Sequence, residues 1–130
     1  LRTLNSESIP WAIVTSGTMP VATARINAAG LPFPRVLVTP EQVSKGKPDP
    51  EPYLLGASQL GIEIQKCIVF EDAPSGIKSG VSAGARVIGV LTQFDSAALL
   101  AEKASDCVNT LLELGISFKN EKPILSINEI

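Results

Sequence analysis

Two adjacent carboxylates, Glu71 and Asp72, directly follow an apolar stretch that ends at Phe70. Acids at the C-terminal end of a buried strand are costly unless they hold a cation or a charged partner. Mg²⁺ takes oxygen ligands and is commonly bound by one or two carboxylates together with a substrate phosphate. The pair therefore indicates a Mg²⁺ site, although two acids before a helix are equally typical of a simple helix cap.

Two other segments carry groups suited to phosphate. Ser16 and Gly17 follow an apolar run and precede a predicted helix, where a hydroxyl and free backbone N–H groups can form a phosphate cradle. Lys47 lies between Gly46 and Pro48, in a short loop stiff enough to aim its ammonium group inward at a phosphate. Each segment also has an ordinary explanation, a helix cap for the first and a solvent-exposed lysine for the second.

Short apolar runs alternate with amphipathic stretches along the chain, which predicts βαβ units and a parallel sheet. We predict strands over residues 11–14, 35–38, 66–70, 86–91 and 106–108, and helices over 19–29, 50–60, 75–83 and 96–104, with a last helical turn over 110–114. Thr18, Asp49 and Ser96 are the predicted helix caps. The fold class is therefore α/β, with a doubly wound, mostly parallel sheet. The three segments that contain Ser16, Lys47 and the Glu71–Asp72 pair should meet at one edge of this sheet.

Composition excludes several classes of function. The 130 residues carry a net charge of −2 and show no basic cluster, so a nucleic acid is not an expected partner. No apolar run approaches the roughly 20 residues of a membrane span, and we expect no membrane partner. The chain has no histidine, which removes Ser-His-Asp and Cys-His catalysis from these residues. Cys67 and Cys107 are expected to be buried free thiols, as in a cytoplasmic protein.

Three motifs carry a resemblance to a known family: VTSGT at 14–18, GKPDPEPY at 46–53 and VFEDAPSGI at 69–77. In this order and approximate spacing, over about residues 9–91, the chain resembles the haloacid dehalogenase-like (HAD) hydrolase superfamily. The subgroup it resembles comprises bacterial phosphatases of sugar phosphates and polyol phosphates. The resemblance implies a HAD-like Rossmannoid fold, Mg²⁺ as cofactor, a small phosphorylated metabolite as substrate and an aspartyl-phosphate intermediate.

The resemblance also implies roles for single residues. Ser16 matches the hydroxyl that binds the transferring phosphoryl group, and Gly17 would offer its backbone N–H to the same group. Lys47 matches the lysine that pairs with the nucleophile and with the phosphate, so Ser16 and Lys47 are the expected catalytic residues. Glu71 and Asp72 match the metal ligands of the family.

One motif of the family is missing from this sequence. The chain has four aspartates, Asp49, Asp72, Asp95 and Asp106, and none stands two residues before another, so no D-x-D nucleophile motif is present. The family's first, central strand and its helical cap are expected to be missing with it. The strands that end near residues 14 and 70 must then pair directly or leave a gap. Residues 124–127, a second chain or an N-terminal segment of a longer polypeptide are the candidates to fill such a gap.

These observations lead to one interpretation and two alternatives. Residues 1–10 would end a cap-to-core connection, residues 11–116 would form a partial HAD-like core, and residues 117–130 a tail or an edge strand. The chain would be the C-terminal core of a Mg²⁺-dependent phosphatase of small phosphorylated metabolites, and inactive alone because it has no nucleophile. The alternatives are a catalytically inactive phosphate- and metal-binding or scaffold remnant, and a phosphosugar mutase of the same fold.

Overall fold

The computed structural model describes residues 1–128, which form α-helices alternating with short strands, as predicted. The helices are α1 (Arg2–Ser6), α2 (Met19–Ala28), α3 (Glu51–Leu60), α4 (Pro74–Ala83) and α5 (Ser96–Ala101). The strands are β1 (Ile13–Val14), β2 (Leu37–Val38), β3 (Ile68–Glu71), β4 (Arg86–Val90), β5 (Asp106–Val108), β6 (Leu114–Lys119) and β7 (Lys122–Ile127). Single 3-10 turns cover Pro40–Gln42, Ile64–Lys66 and Leu111–Glu113.

The strands are arranged in two parallel sheets and one antiparallel hairpin. β1 pairs with β2, and β3, β4 and β5 pair in that order, all in parallel. The hairpin consists of β6 and β7. Each parallel pair is joined through a helix, so the α/β doubly wound class is confirmed.

A gap separates the two parallel sheets. Within residues 1–128, β1 pairs only with β2 and β3 only with β4, so the facing edges of β1 and β3 make no ladder with each other. The prediction that residues 124–127 might fill the sheet is wrong, because they lie in β7 and pair with β6. Asn120 and Glu121 have φ values of 51° and 61°, as in a tight two-residue hairpin turn, so local pairing is favoured.

Successive side chains of a strand point to opposite sides of a sheet, and helices or the hairpin pack on most of these faces. One face of β3 is open, since Ile68 and Phe70 are 39% and 38% exposed. Val14, Val69 and Val87 pack with one group of helices, and this large cluster includes side chains of α3, α4 and α5. On the other side α2 packs on Ile13 and Leu37. The hairpin packs on the sheet of β3, β4 and β5, where Leu114 and Leu125 contact a buried group of three strand residues: Ile88, Val90 and Val108.

Most helix ends lie close to their predicted positions, and α5 is corrected at both ends. α3 and α4 end at Gly61 and Gly84, whose φ values of 71° and 95° favour glycine. The predicted Ser96 cap of α5 is wrong, because the cap is Asp95, whose Oδ1 accepts the N–H of Ala98 at 2.8 Å. This helix ends at residue 101 instead of 104. The parallel strands β1 and β2 are also shorter than predicted, two residues each.

The two cysteines are free, as predicted, but only half-buried. Burial raises the pKa of both thiols, and Asp106 raises that of Cys107 further. Neither thiol is therefore a strong nucleophile at neutral pH. Among the described residues, no helix is both long and apolar enough to cross a bilayer.

Close packing of α4 on the sheet requires a glycine at position 80. A Cβ added to Gly80 would lie 2.8 Å from Cγ2 of Val87 and 3.3 Å from Cγ1 of Val69. Both valines are buried and β-branched, so neither can move aside easily. We expect Gly80→Ala to lower the free energy of unfolding by about 1–2 kcal/mol, measured by urea denaturation, despite the better helix propensity of alanine.

The control for helix propensity is Ser82→Ala, on the exposed side of the same helix. This variant should keep wild-type stability within about 0.5 kcal/mol. Equal stability of the two variants would show that the helix-to-sheet distance adapts without cost at position 80.

Candidate active site

A cavity of about 500 Å³ lies between β1 and β3 and brings the predicted segments together. Its wall includes Ser16, Lys47, Glu71 and Asp72, which come from three separate parts of the chain. Strand ends position two of these parts, since Ser16 follows β1, Glu71 ends β3 and Asp72 follows it. The structure therefore places the four side chains at one edge, as the parallel topology predicts.

Lys47 points inward and bridges the gap between the sheets. Its Nζ donates a hydrogen bond to the carbonyl oxygen of Val14 at 3.0 Å, and it forms an ion pair with Oε1 of Glu71. The side chains of Lys47 and Glu71 are only 10% and 9% exposed. The ordinary explanation, a solvent-exposed lysine, is thus excluded, and the charge pair is largely shielded from water. Charges in such surroundings interact more strongly than at the surface.

The loop before α3 is held by side chains that bond to its backbone. Both carboxylate oxygens of Glu51 accept backbone N–H groups, from Ser44 at 2.8 Å and from Lys45 at 2.9 Å. The predicted cap Asp49 accepts the N–H of Glu51 at 3.0 Å, although the N-cap position itself is Pro50. The buried Ser79 of α4 donates to the Asp49 carbonyl at 2.6 Å. The stiffness predicted for this loop thus has a physical basis.

Tyr53 joins the ion pair, which sequence reasoning did not foresee. Its hydroxyl donates to Oε1 of Glu71, and the centre of its ring lies 4.8 Å from Nζ of Lys47. Burial, followed by the charge of Glu71, raises the pKa of Tyr53, so the hydroxyl retains its proton and acts as a donor. The available signal in the sequence was that Tyr53 follows Lys47 by six residues within the same motif. The tyrosine could, however, be explained by its ring alone, as an apolar residue on the buried side of a helix.

Asp72 is oriented by a neighbouring strand. Its Oδ2 accepts hydrogen bonds from Oγ1 of Thr92 at 3.1 Å and from Nε2 of Gln93 at 3.3 Å. Both donors follow β4, the strand that pairs with β3. Neither residue was predicted as part of the site, although polar residues after the neighbouring strand of a parallel sheet are well placed to reach the same edge.

The two carboxylates fit a hard cation such as Mg²⁺. The recorded bonds of Glu71 go to Oε1 and those of Asp72 to Oδ2, so within residues 1–128 one oxygen of each carboxylate has no protein donor. The described residues contain no group of three or more acidic, Cys or His side chains able to hold a metal ion. Residues 1–128 thus offer at most two such ligands at one place. That number suits Mg²⁺, which keeps several water or phosphate ligands.

The segment after β1 differs in one detail from the predicted phosphate cradle. Ser16 lines the cavity, but the backbone N–H of Gly17 donates to Oγ1 of Thr15 at 3.0 Å. The first N–H of α2, that of Met19, donates to Glu41 at 2.9 Å. This bond is the main reason why the pKa of the Glu41 carboxyl is lowered. Thr15 and Ser16 both line the cavity, and because Oγ1 of Thr15 already accepts from Gly17, Ser16 is the better candidate of the two to bind a phosphate.

Residues 1–90 match the family model of the haloacid dehalogenase-like hydrolases. One similar protein is hexitol phosphatase A of Escherichia coli K12, which is 57% identical over 96 residues. Those residues make up 74% of this chain and 44% of the phosphatase. The chain thus spans less than half the length of this relative.

Solved structures are similar over most of the chain. A HAD family hydrolase from Deinococcus radiodurans, solved with bound phosphate and sodium, superposes with a TM-score of 0.80 at 30% identity. The match covers 84% of this chain and 51% of that one. A β-phosphoglucomutase from Clostridium difficile gives a TM-score of 0.73 at 25% identity, covering 84% of this chain and 46% of the mutase.

Proposed function

The chain belongs to the haloacid dehalogenase-like hydrolase family, and from this premise we propose that it forms the phosphate- and metal-binding part of a Mg²⁺-dependent phosphatase. The proposed substrates are small phosphorylated metabolites of the sugar and polyol class. The similarity to a hexitol phosphatase supports this choice of substrate class.

One observation carries the proposal. A hydroxyl, an ammonium group and two carboxylates from separate segments line the same cavity, and the ammonium group is fixed there by Val14 and Glu71. The hydroxyl and the carboxylates, taken alone, could each be explained as helix caps. Their meeting at the carboxyl ends of parallel strands is typical of a ligand site in an open α/β sheet.

In the proposed reaction, each residue has a distinct task. The Ser16 hydroxyl donates to a non-bridging phosphoryl oxygen and fixes its orientation. Lys47 places a positive charge beside the phosphoryl group, where negative charge accumulates in the transition state. Glu71 and Asp72 would hold Mg²⁺, which supplies further positive charge to the phosphoryl oxygens when bound. Because Lys47 and Glu71 are already paired, the cost of ordering the lysine is met before the substrate binds.

The nucleophile comes from outside these 130 residues in this proposal. The sequence has no D-x-D motif, and the gap between β1 and β3 has the edges that one additional parallel strand could pair with. A carboxylate at the end of such a strand would lie beside Lys47. It would attack phosphorus as the ester P–O bond breaks, so that the metabolite leaves as its alcohol after taking up a proton and the aspartyl-phosphate used by the family remains. Water would then attack the aspartyl-phosphate, break its P–O bond, release inorganic phosphate and restore the carboxylate.

A phosphosugar mutase is the second candidate, because the chain is also similar to a β-phosphoglucomutase. The residues described here would act in the same way in both reactions. The reactions differ in where the phosphoryl group goes, to water in a phosphatase and to a second sugar hydroxyl in a mutase. The product therefore distinguishes the two.

The test is a chimaera that joins this chain to the part of hexitol phosphatase A that the chain does not match. We expect the chimaera to release inorganic phosphate from phosphorylated hexitols in the presence of Mg²⁺, and the 130-residue chain alone to release none. Isomerised sugar phosphate without free phosphate would favour the mutase.

Variants of the chimaera separate a failed junction from a wrong assignment. Asp72→Asn should abolish Mg²⁺-dependent phosphate release, while Lys66→Met, at an exposed position outside the cavity, should leave it unchanged. Full turnover in the Asp72→Asn chimaera would contradict the metal assignment. If the chimaera is folded but inactive, phosphate titration of the 130-residue chain by ¹⁵N NMR decides, because no shift at Ser16 would contradict the cradle.

A further inference from the structure

Tyr53 contacts the ion pair in a way that packing alone does not require. Its ring belongs to the main hydrophobic cluster and the residue as a whole is only 8% exposed. Phenylalanine would fill that space equally well. The hydroxyl instead reaches out of the cluster and donates to Glu71, on the same oxygen that receives the ammonium group of Lys47.

We propose that Tyr53 is a positioning residue, which fixes the Glu71 carboxylate against Lys47 and keeps its second oxygen, Oε2, directed to the cavity for a cation. The role of Oε2 as a ligand of a cation rests on the proposed function. The positioning itself rests only on the contacts described above.

Geometry explains why a second donor is needed. A lone ammonium group can pair with either oxygen of a carboxylate, because its charge is compact and its stem is flexible. The Tyr53 hydroxyl comes from a rigid ring on α3, so it selects one oxygen and one rotation of the carboxylate. Gly76 leaves room for that rotation, since any Cβ at this position would overlap the carboxylate.

The arrangement repeats at the neighbouring acid with different donors. Asp72 also receives two donors, Thr92 and Gln93, on one oxygen. Each carboxylate thus has one oxygen held by the protein and one without a protein donor within residues 1–128. Partners that orient a metal ligand through its other atoms commonly have large effects on metal affinity.

The first test measures the pair without metal or substrate. Lysines of the 130-residue chain are acetylated under limiting reagent, and mass spectrometry gives the rate at Lys47 relative to Lys45, an exposed lysine of the same loop. Tyr53→Phe keeps the ring beside Lys47 and removes only the hydroxyl. We expect the Lys47 to Lys45 ratio to rise about fivefold, the population ratio that corresponds to one net hydrogen bond. Glu71→Gln serves as the positive control, and circular dichroism confirms that each variant is folded.

An unchanged ratio of Lys47 to Lys45 acetylation in folded Tyr53→Phe would overturn the inference.

The second test is Mg²⁺ titration by calorimetry, in which Tyr53→Phe should weaken binding about tenfold and Asp72→Asn should remove it. Binding that is insensitive to Asp72→Asn, or no binding by the wild-type chain, counts against the metal site of the proposed function and leaves the labelling result valid. Asp72-dependent binding that Tyr53→Phe does not weaken would overturn the part of the inference that concerns Oε2.

Discussion

Replacing Lys47 by methionine should lower the free energy of unfolding by about 3–5 kcal/mol, the cost of leaving one member of a buried ion pair without its partner. The Glu71 side chain is 9% exposed and would keep only the Tyr53 hydroxyl. Methionine replaces the aliphatic stem of the lysine, so the loss reports on charge and not on a cavity. Urea denaturation of the 130-residue chain measures the effect.

The chain contains its own control for this prediction. Lys66 and Glu63 form an ion pair at 2.8 Å whose side chains are 70% and 69% exposed. Lys66→Met should therefore cost no more than about 0.5 kcal/mol, because exposed pairs contribute little. The double variant Lys47→Met with Glu71→Gln should regain much of the lost stability. Similar losses for Lys47→Met and Lys66→Met would mean that Glu71 finds water or another donor once the lysine is gone.

The sequence predicts the fold class because the signals for it are local. The turn to helix α4 after Asp72, the glycines that end α3 and α4, and the apolar run of β4 each identify an element by chemistry within a few residues. Parallel topology then follows from the alternation of strands and helices. The gap beside β1 was also predictable, because the sequence has no D-x-D motif and the family resemblance implies that the strand with this motif lies in the middle of the sheet.

The contacts that could not be predicted are those in which side chains from distant segments bind the same carboxylate. The exposed-lysine explanation for Lys47 could be weighed but not excluded from sequence, because its hydrogen-bond partners Val14 and Glu71 are 33 and 24 positions away. Glu71 was predicted as a metal ligand, and the pattern gave no sign that Tyr53 shares it. No prediction was made for Thr92 and Gln93, because their contact with Asp72 depends on the pairing of β3 with β4.

In the C-terminal region, a long-range contact was predicted and a local contact formed instead. Residues 124–127 have a strand-like pattern, and the gap in the sheet appeared to need a strand. Asn120 and Glu121 decide the outcome, because a two-residue turn brings β7 beside β6 without the entropy cost of a long loop. Hairpin formation is thus favoured over insertion into a parallel sheet, and within residues 1–128 no strand lies between β1 and β3.

Gly76→Ala should disrupt the same ion pair from the other side. A Cβ at this position would overlap the Glu71 carboxylate, and the backbone of the first turn of α4 cannot withdraw because the helix packs on the sheet. The carboxylate must then leave Lys47 and Tyr53. We expect a loss of about 2–4 kcal/mol in the free energy of unfolding, a range typical of a broken buried network. Phosphate release by the chimaera should fall as well.

Two further variants decide whether this loss comes from the carboxylate. Gly46→Ala makes the same change in the Lys47 loop, where an added Cβ would meet nothing within 4 Å, so its stability should match wild type within about 0.5 kcal/mol. In a Glu71→Ala background the overlap is gone, and Gly76→Ala should then cost almost nothing. A full cost in that background would show that the glycine is needed by the backbone of α4. If the cost vanishes, the glycine is needed because the Glu71 carboxylate occupies the space that a Cβ at position 76 would fill. The stability of the ion pair would then depend on the first turn of α4.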